Sequence, residues 1–102
     1  MNTKRVSSCR NWLTLIGPRR NVSRLADGPW ENVLAARHVE WLELSPGHYR
    51  CEFSTTHRPL RQLQELSGQW PKVTFLLHYE RENSMGLIKA RRARLTSHEV
   101  RY

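Results

Sequence analysis

Residues 49–79 constrain the fold more than any other stretch, because they spell a strand, a helix and a second strand with short connections. In Tyr49-Arg50-Cys51-Glu52-Phe53-Ser54, Tyr49, Cys51 and Phe53 alternate with Arg50, Glu52 and Ser54. That period of two is the pattern of a strand with one buried face. Pro59, whose fixed φ suits a first helical turn, opens the helix. Leu60, Leu63, Leu66 and Trp70 form one apolar stripe along it, and Gly68 and Pro71 end it. Residues 72–79 alternate again, with Val73, Phe75, Leu77 and Tyr79 on one side. A strand, a crossover helix and a strand in this order place the two strands parallel in one sheet.

The remaining segments build outward from this unit. Residues 11–16 read as a strand closed by Gly17-Pro18, and residues 18–26 as a short helix with Val22, Leu25 and Ala26 inward. Asp27-Gly28-Pro29 breaks it, and residues 30–37 read as a second short helix or irregular chain. Residues 38–44 are a strand whose alternation changes phase between Trp41 and Leu42, the mark of a bulge. Ser45-Pro46-Gly47-His48 is a turn that joins it to residues 49–54 as an antiparallel hairpin. Residues 80–85 form a polar loop, and residues 86–91 return as a strand. Residues 92–102 either extend that strand or fray. The order β, short α, β, β, α, β predicts an α+β protein with the ferredoxin-like split βαβ arrangement, an antiparallel sheet with two helices on one face. The expected organisation is a flexible basic arm over residues 1–8, one domain over 9–95 and a tail over 96–102. The sheet face without helices is the one to watch for function.

Charge is the next constraint. The 102 residues carry a formal net charge of +8, and 14 of the 17 basic residues are arginine. No acid precedes Asp27, whereas Lys4, Arg5, Arg10, Arg19, Arg20 and Arg24 all do, and a second basic block is Lys89-Ala90-Arg91-Arg92-Ala93-Arg94. Such an excess draws a protein toward polyanions, although solvated surface arginines give the same composition. No apolar run approaches the ~20 residues that span a bilayer, and no apolar segment follows the basic N-terminus to make a signal peptide. A cytoplasmic protein with no membrane partner is the expectation.

A family resemblance rests on particular motifs. Cys9-Arg10-Asn11-Trp12-Leu13-Thr14-Leu15-Ile16-Gly17-Pro18 resembles the opening strand of the YubB-type ferredoxin-like domain, which also ends in Gly-Pro before a charged helix. Tyr49 to Phe53, Pro59 to Leu66, Trp70-Pro71-Lys72-Val73-Thr74-Phe75 and Tyr79-Glu80 resemble its second half, and Met85-Gly86-Leu87 the start of its last hairpin. The resemblance covers residues 9–91 except 27–37, where this chain looks shorter. It implies the ferredoxin-like fold and a small accessory protein of a mobile genetic element, a plasmid or phage. It carries no catalytic residue with it.

Residues that could carry chemistry are scattered. His38, His48, His57, His78 and His98 show no i, i+4 pair, and Cys9 and Cys51 show no CxxC, so no metal site is expected. Strand phase separates Cys51 from His78 and argues against a cysteine–histidine nucleophile. Glu80 and Glu82 flank Arg81 as a self-neutralising loop, and there is no glycine-rich phosphate loop. These readings name no catalytic residue and no cofactor. Among the four tryptophans, Trp70 ends the helix stripe, whereas Trp12 and Trp41 lie on strands. Facing away from the helices, either would stack a base beside strand arginines such as Arg50. Arg19, Arg20, Arg24, Arg50, Lys89, Arg91, Arg92 and Arg94 are the candidate phosphate contacts. The expectation is a non-enzymatic protein that binds nucleic acid or a nucleoprotein through a basic surface. The alternative is a protein-interaction module, such as an inhibitor of a host defence complex, that pairs through its sheet.

Overall fold

The computed structural model describes residues 9–28, 30 and 37–102, without the side chains of 37–41 and 43. Among the described residues, strands and helices follow one another as β1 (Cys9–Ile16), α1 (Arg19–Asp27), β2 (Arg37–Ser45), β3 (His48–Thr55), α2 (Leu60–Gln69), β4 (Thr74–Arg81), β5 (Ser84–Arg91) and β6 (Arg94–Arg101). The strands form one sheet in the order β2-β3-β1-β4-β5-β6, and every neighbouring pair is antiparallel. β1 and β2 run the same way with β3 between them, and β3 and β4 run the same way with β1 between them. Each helix therefore joins two parallel strands that are one strand apart.

Alternation decides which face is covered. On β1 the side chains of Cys9, Asn11, Leu13 and Leu15 are buried, and those of Arg10, Trp12, Thr14 and Ile16 lie on the other face. The register carries this phase across the sheet: Leu13 pairs with Cys51 and Leu77, and Leu77 with Ile88. Val22 and Leu25 of α1 and Leu63 and Leu66 of α2 join the same buried cluster as Leu13, Phe53, Phe75 and Leu77. Both helices thus cover one face, and the leucine stripe of α2 lies where its spacing predicts, with Leu60 and Trp70 packed at its margins. Trp30 is also core; its ring meets Phe53 edge-on at 5.7 Å.

The ends of elements meet in tight contacts. Pro46 and Gly47 make the β2–β3 turn, with Gly47 at φ +79°, a conformation glycine adopts without a Cβ clash. The N–H of Gly17, between β1 and α1, donates to the Gly47 carbonyl at 3.0 Å, so these two connections are fixed at the same end of the sheet.

Four expectations are corrected here. The register runs unbroken from Glu40 to Glu43, and the irregularities of β2 fall between Arg37 and Glu40 and between Glu43 and Ser45. Helix α2 passes through Gly68 and ends at Gln69, because an exposed glycine costs only about 1 kcal/mol inside a helix already held by its leucines. The polar loop is only the Glu82–Asn83 turn, since pairing with β5 extends β4 to Arg81. The chain after Arg91 neither extends β5 nor frays: it turns back at Arg92 and Ala93 and pairs along β5 as β6 through Arg101. The arm over residues 1–8 lies outside the described residues, as does the segment over 30–37 apart from Trp30 and the backbone of Arg37.

Candidate functional site

Among the described residues no helix lies on the other face of the sheet, and the register sets out this helix-free face row by row. One row is Leu42, Arg50, Thr14, Leu76, Lys89 and Thr96, across β2, β3, β1, β4, β5 and β6. The next is Glu52, Trp12, His78, Leu87 and His98, from β3 to β6, and the third is Ser54, Arg10, Glu80, Met85 and Val100. Large apolar side chains stand among the polar ones on this face: Leu42 and Leu87 are each 61% exposed and Val100 48%.

At its centre, Trp12 of β1 stacks on His78 of β4 with ring centroids 4.9 Å apart and planes 25° from parallel. The pair arises from pleat and register alone, since the two residues are directly opposite on the central strands. The Arg10 guanidinium lies 5.3 Å from the Trp12 ring centre, and its Nη2 also meets Glu52 Oε1 at 2.7 Å. Arginine, indole and imidazole thus form a continuous stack whose next neighbour in the row is the exposed Leu87.

The candidate phosphate contacts divide between the two sides of the sheet. Arg50, Lys89, Arg91 and Arg94 project on the same face as Trp12, by the alternation that buries Cys51, Ile88 and Ala90. Lys89, Arg91, Arg92 and Arg94 gather with Thr96 around an open depression of about 550 Å³ at the β5–β6 turn. Arg19, Arg20 and Arg24 instead lie on the exposed side of α1, in the layer that covers the opposite face. The two basic blocks therefore share an end of the sheet, where Gly17 and the β5–β6 turn lie, but not a face. Composition does not distinguish these placements, because both blocks are arginine-rich and exposed. Trp41 pairs through its backbone with Cys51, and its side chain lies outside the described residues.

A second polar cluster escaped sequence reasoning. On the helix-covered side, Tyr79 Oη donates to Glu99 Oε1 at 2.6 Å, and Arg58 Nη1 reaches both Tyr79 Oη and Glu99 Oε1 at 3.3 Å. Burial, and then the bond to Glu99, push the Tyr79 phenol above its ordinary range; that bond holds the Glu99 carboxyl below its own. Nearby, Asn11 Nδ2 donates to Thr55 Oγ1 at 2.9 Å and to the Cys9 carbonyl at 3.2 Å, and Thr55 Oγ1 donates to the His57 carbonyl at 2.6 Å. These bonds satisfy buried polar groups and fasten β6 and the β3–α2 loop to the central strands, a structural role. The signal for this cluster is long-range pairing, invisible until β6 is known to be a strand.

Cys51 and His78 face opposite sides of the sheet. Cys9 and Cys51 are buried, and burial pushes the Cys9 thiol up, away from a reactive thiolate. Among the described residues, no three histidine, cysteine or carboxylate groups converge as metal ligands, and no helix is long and apolar enough to cross a membrane. No protein-family model, curated protein or solved structure matches this chain.

Proposed function

We propose that this protein binds single-stranded nucleic acid across the helix-free face of its sheet. The observation that carries the reading is the Arg10–Trp12–His78 stack at the centre of that face. Every base offers a π-face, so an aromatic stack on an open sheet grips unpaired bases without reading sequence. A duplex buries those faces, so the stack favours single strands. A base adds to the stack at its His78 end and packs over Leu87, while Arg50 and the Lys89–Arg94 cations neutralise the backbone on either side. Arg19, Arg20 and Arg24, on the other layer, serve at most a second contact on a long strand.

In fold, this reading joins β1 to β4 and the two helices into a ferredoxin-like split βαβ core. The strand order β2-β3-β1-β4, with each helix spanning one intervening strand, supports that core, and β5 and β6 extend it at one edge. The setting, an accessory protein of a plasmid or phage, rests on the resemblance to YubB-type domains alone.

The test is anisotropy of labelled single- and double-stranded DNA and RNA across a salt series, with wild type, Trp12→Ala and His78→Ala. The expected result is salt-sensitive binding that prefers single strands and weakens by about 1–3 kcal/mol when Trp12 is truncated. No binding at low salt, or Trp12→Ala binding as tightly as wild type, overturns the reading.

A second reading is favoured by one observation, the exposed Leu42, Leu87 and Val100 on the same face: this surface docks another protein. Leu87→Ser with Val100→Ser then abolishes a pull-down partner while reversal of Arg91 and Arg94 leaves it bound.

A further inference from the structure

The β5–β6 turn carries three features that act together. Arg92 and Ala93 have φ of 51° and 65°, the double left-handed geometry of a type I′ turn, which ordinarily takes Asn-Gly. Two side-chain-bearing residues there are held against a steric cost. Arg91 and Arg94 stand directly opposite each other in the ladder, a like-charge pair that destabilises a hairpin. The turn is nevertheless bolted down: Ala93 N–H donates to Ser67 Oγ at 3.0 Å, Ser67 Oγ donates to the Gln64 carbonyl at 2.8 Å, and Gln64 Nε2 donates to the Ala93 carbonyl at 2.9 Å. Ser67 is fully buried in α2, so the helix fixes the turn.

We infer that this turn is a preorganised site for closely spaced phosphoryl groups. The depression of about 550 Å³ that it bounds is lined by Lys89, Arg91, Arg92, Arg94 and Thr96, four cations and no acid. Its volume lies within the roughly 300–1,000 Å³ of ordinary ligand sites. Four positive charges held close by a rigid turn repel one another until an anion enters, so a ligand with consecutive phosphoryl groups relieves strain already present. Planar guanidinium groups suit such oxygens, which accept their paired N–H donors. The inference deepens the reading of the sheet face and rests on it for its ligand, the sugar–phosphate chain of the strand whose bases lie on Trp12 and His78. The polyphosphate of a free nucleotide offers the same anionic phosphoryl oxygens at closer spacing.

The probe is tripolyphosphate, followed by amide chemical shifts and by melting temperature, alongside a single-stranded oligonucleotide across a salt series. Wild type, Arg91→Gln/Arg94→Gln and Trp12→Ala are compared. Tripolyphosphate is expected to shift the amides of residues 89–96 and raise the melting temperature. The double variant, which loses a repulsive pair and so melts no lower than wild type, is expected to bind it at least about tenfold more weakly. The same variant lowers the salt slope of oligonucleotide binding by about 1.4, from two single-strand phosphate contacts of about 0.7 each. Trp12→Ala leaves tripolyphosphate binding unchanged. Weaker tripolyphosphate binding with unaltered oligonucleotide binding keeps the site and assigns it to a free polyphosphate. Tripolyphosphate binding with no oligonucleotide binding keeps the site and removes the reading of the sheet face. Unchanged tripolyphosphate binding in the double variant, or shifts confined to α1, overturns the site and leaves the sheet-face reading standing.

Discussion

Tyr79 and Glu99 meet across an intervening strand, at 2.6 Å, because the residue between them is Gly86. Gly86 pairs with Tyr79 on β4 and with Glu99 on β6, and a Cβ at this position would run into the Tyr79 ring and hydroxyl. The missing side chain is a window through which the phenol lies over β5 and fastens the edge strand to the core.

Gly86→Ala is therefore expected to destabilise the protein by about 1–3 kcal/mol, the cost of overpacking a filled site. Tyr79→Phe keeps the ring and loses only the clasp, so its cost is smaller. Urea unfolding monitors both, and the midpoint should fall at unchanged slope. A Gly86→Ala variant as stable as wild type would show that the ring has somewhere else to go.

The same clasp, together with Cys9, makes stability depend on pH. Glu99 has its folded pKa lowered below the ordinary 4.5, first by the Tyr79 hydrogen bond, so its contribution is complete above that value and lost as pH falls through the lower folded value. Tyr79 and Cys9 have folded values raised above 10.0 and 9.0, chiefly by burial, so the unfolded chain releases their protons first. Stability then falls as pH rises, beginning near 9 with Cys9 and continuing above 10 with Tyr79. Melting temperature against pH should show a plateau between these limits. Glu99→Gln should flatten the acid limb and Cys9→Ala the first part of the alkaline limb, and limbs unaltered in both variants would mean other groups titrate.

The sequence showed the central sheet well and its edge poorly, for physical reasons. Leu13, Leu15, Phe75 and Leu77 alternate strictly because both their strands are central and covered on one face, so the outward position of His78 followed from phase. That Trp12 would lie beside His78 did not follow, because the register that pairs residues so far apart in sequence is a tertiary property. β6 shows no alternation of apolar residues: as an edge strand it has only Leu95 packed on the core. Its turn, Arg-Ala, has none of the usual turn chemistry, so the hairpin was hidden.

Glu52 restrains the proposed interface. Its ion pair with Arg10, at 2.7 Å, is between side chains 49% and 64% exposed, and exposed pairs contribute about 0–1 kcal/mol. Glu52→Gln should thus leave the unfolding midpoint nearly unchanged. It removes one negative charge from the binding face and frees Arg10 for phosphate, so affinity for a single-stranded oligonucleotide should rise a few-fold, most at low salt. Unchanged or weakened binding would count against this face as the interface.

Ala93 offers the sharpest separation of stability from binding. At φ 65° its methyl group opposes the left-handed backbone, which costs about 1–2 kcal/mol. Glycine removes that cost and returns about 0.5–1 kcal/mol as lost chain entropy. Ala93→Gly should therefore stabilise the hairpin by up to about 1 kcal/mol, a rise of about 4–8 °C in melting temperature for a domain of this size. It touches no cation, and the bonds from Ala93 to Ser67 and Gln64 are backbone groups that glycine also has, so tripolyphosphate binding should not change. Adding Arg92→Asn gives the favoured Asn-Gly turn and removes one lining cation, so the double variant should melt higher still and bind tripolyphosphate more weakly. If Ala93→Gly instead weakened binding as much as the double variant, the held geometry of the turn would matter more than its charge.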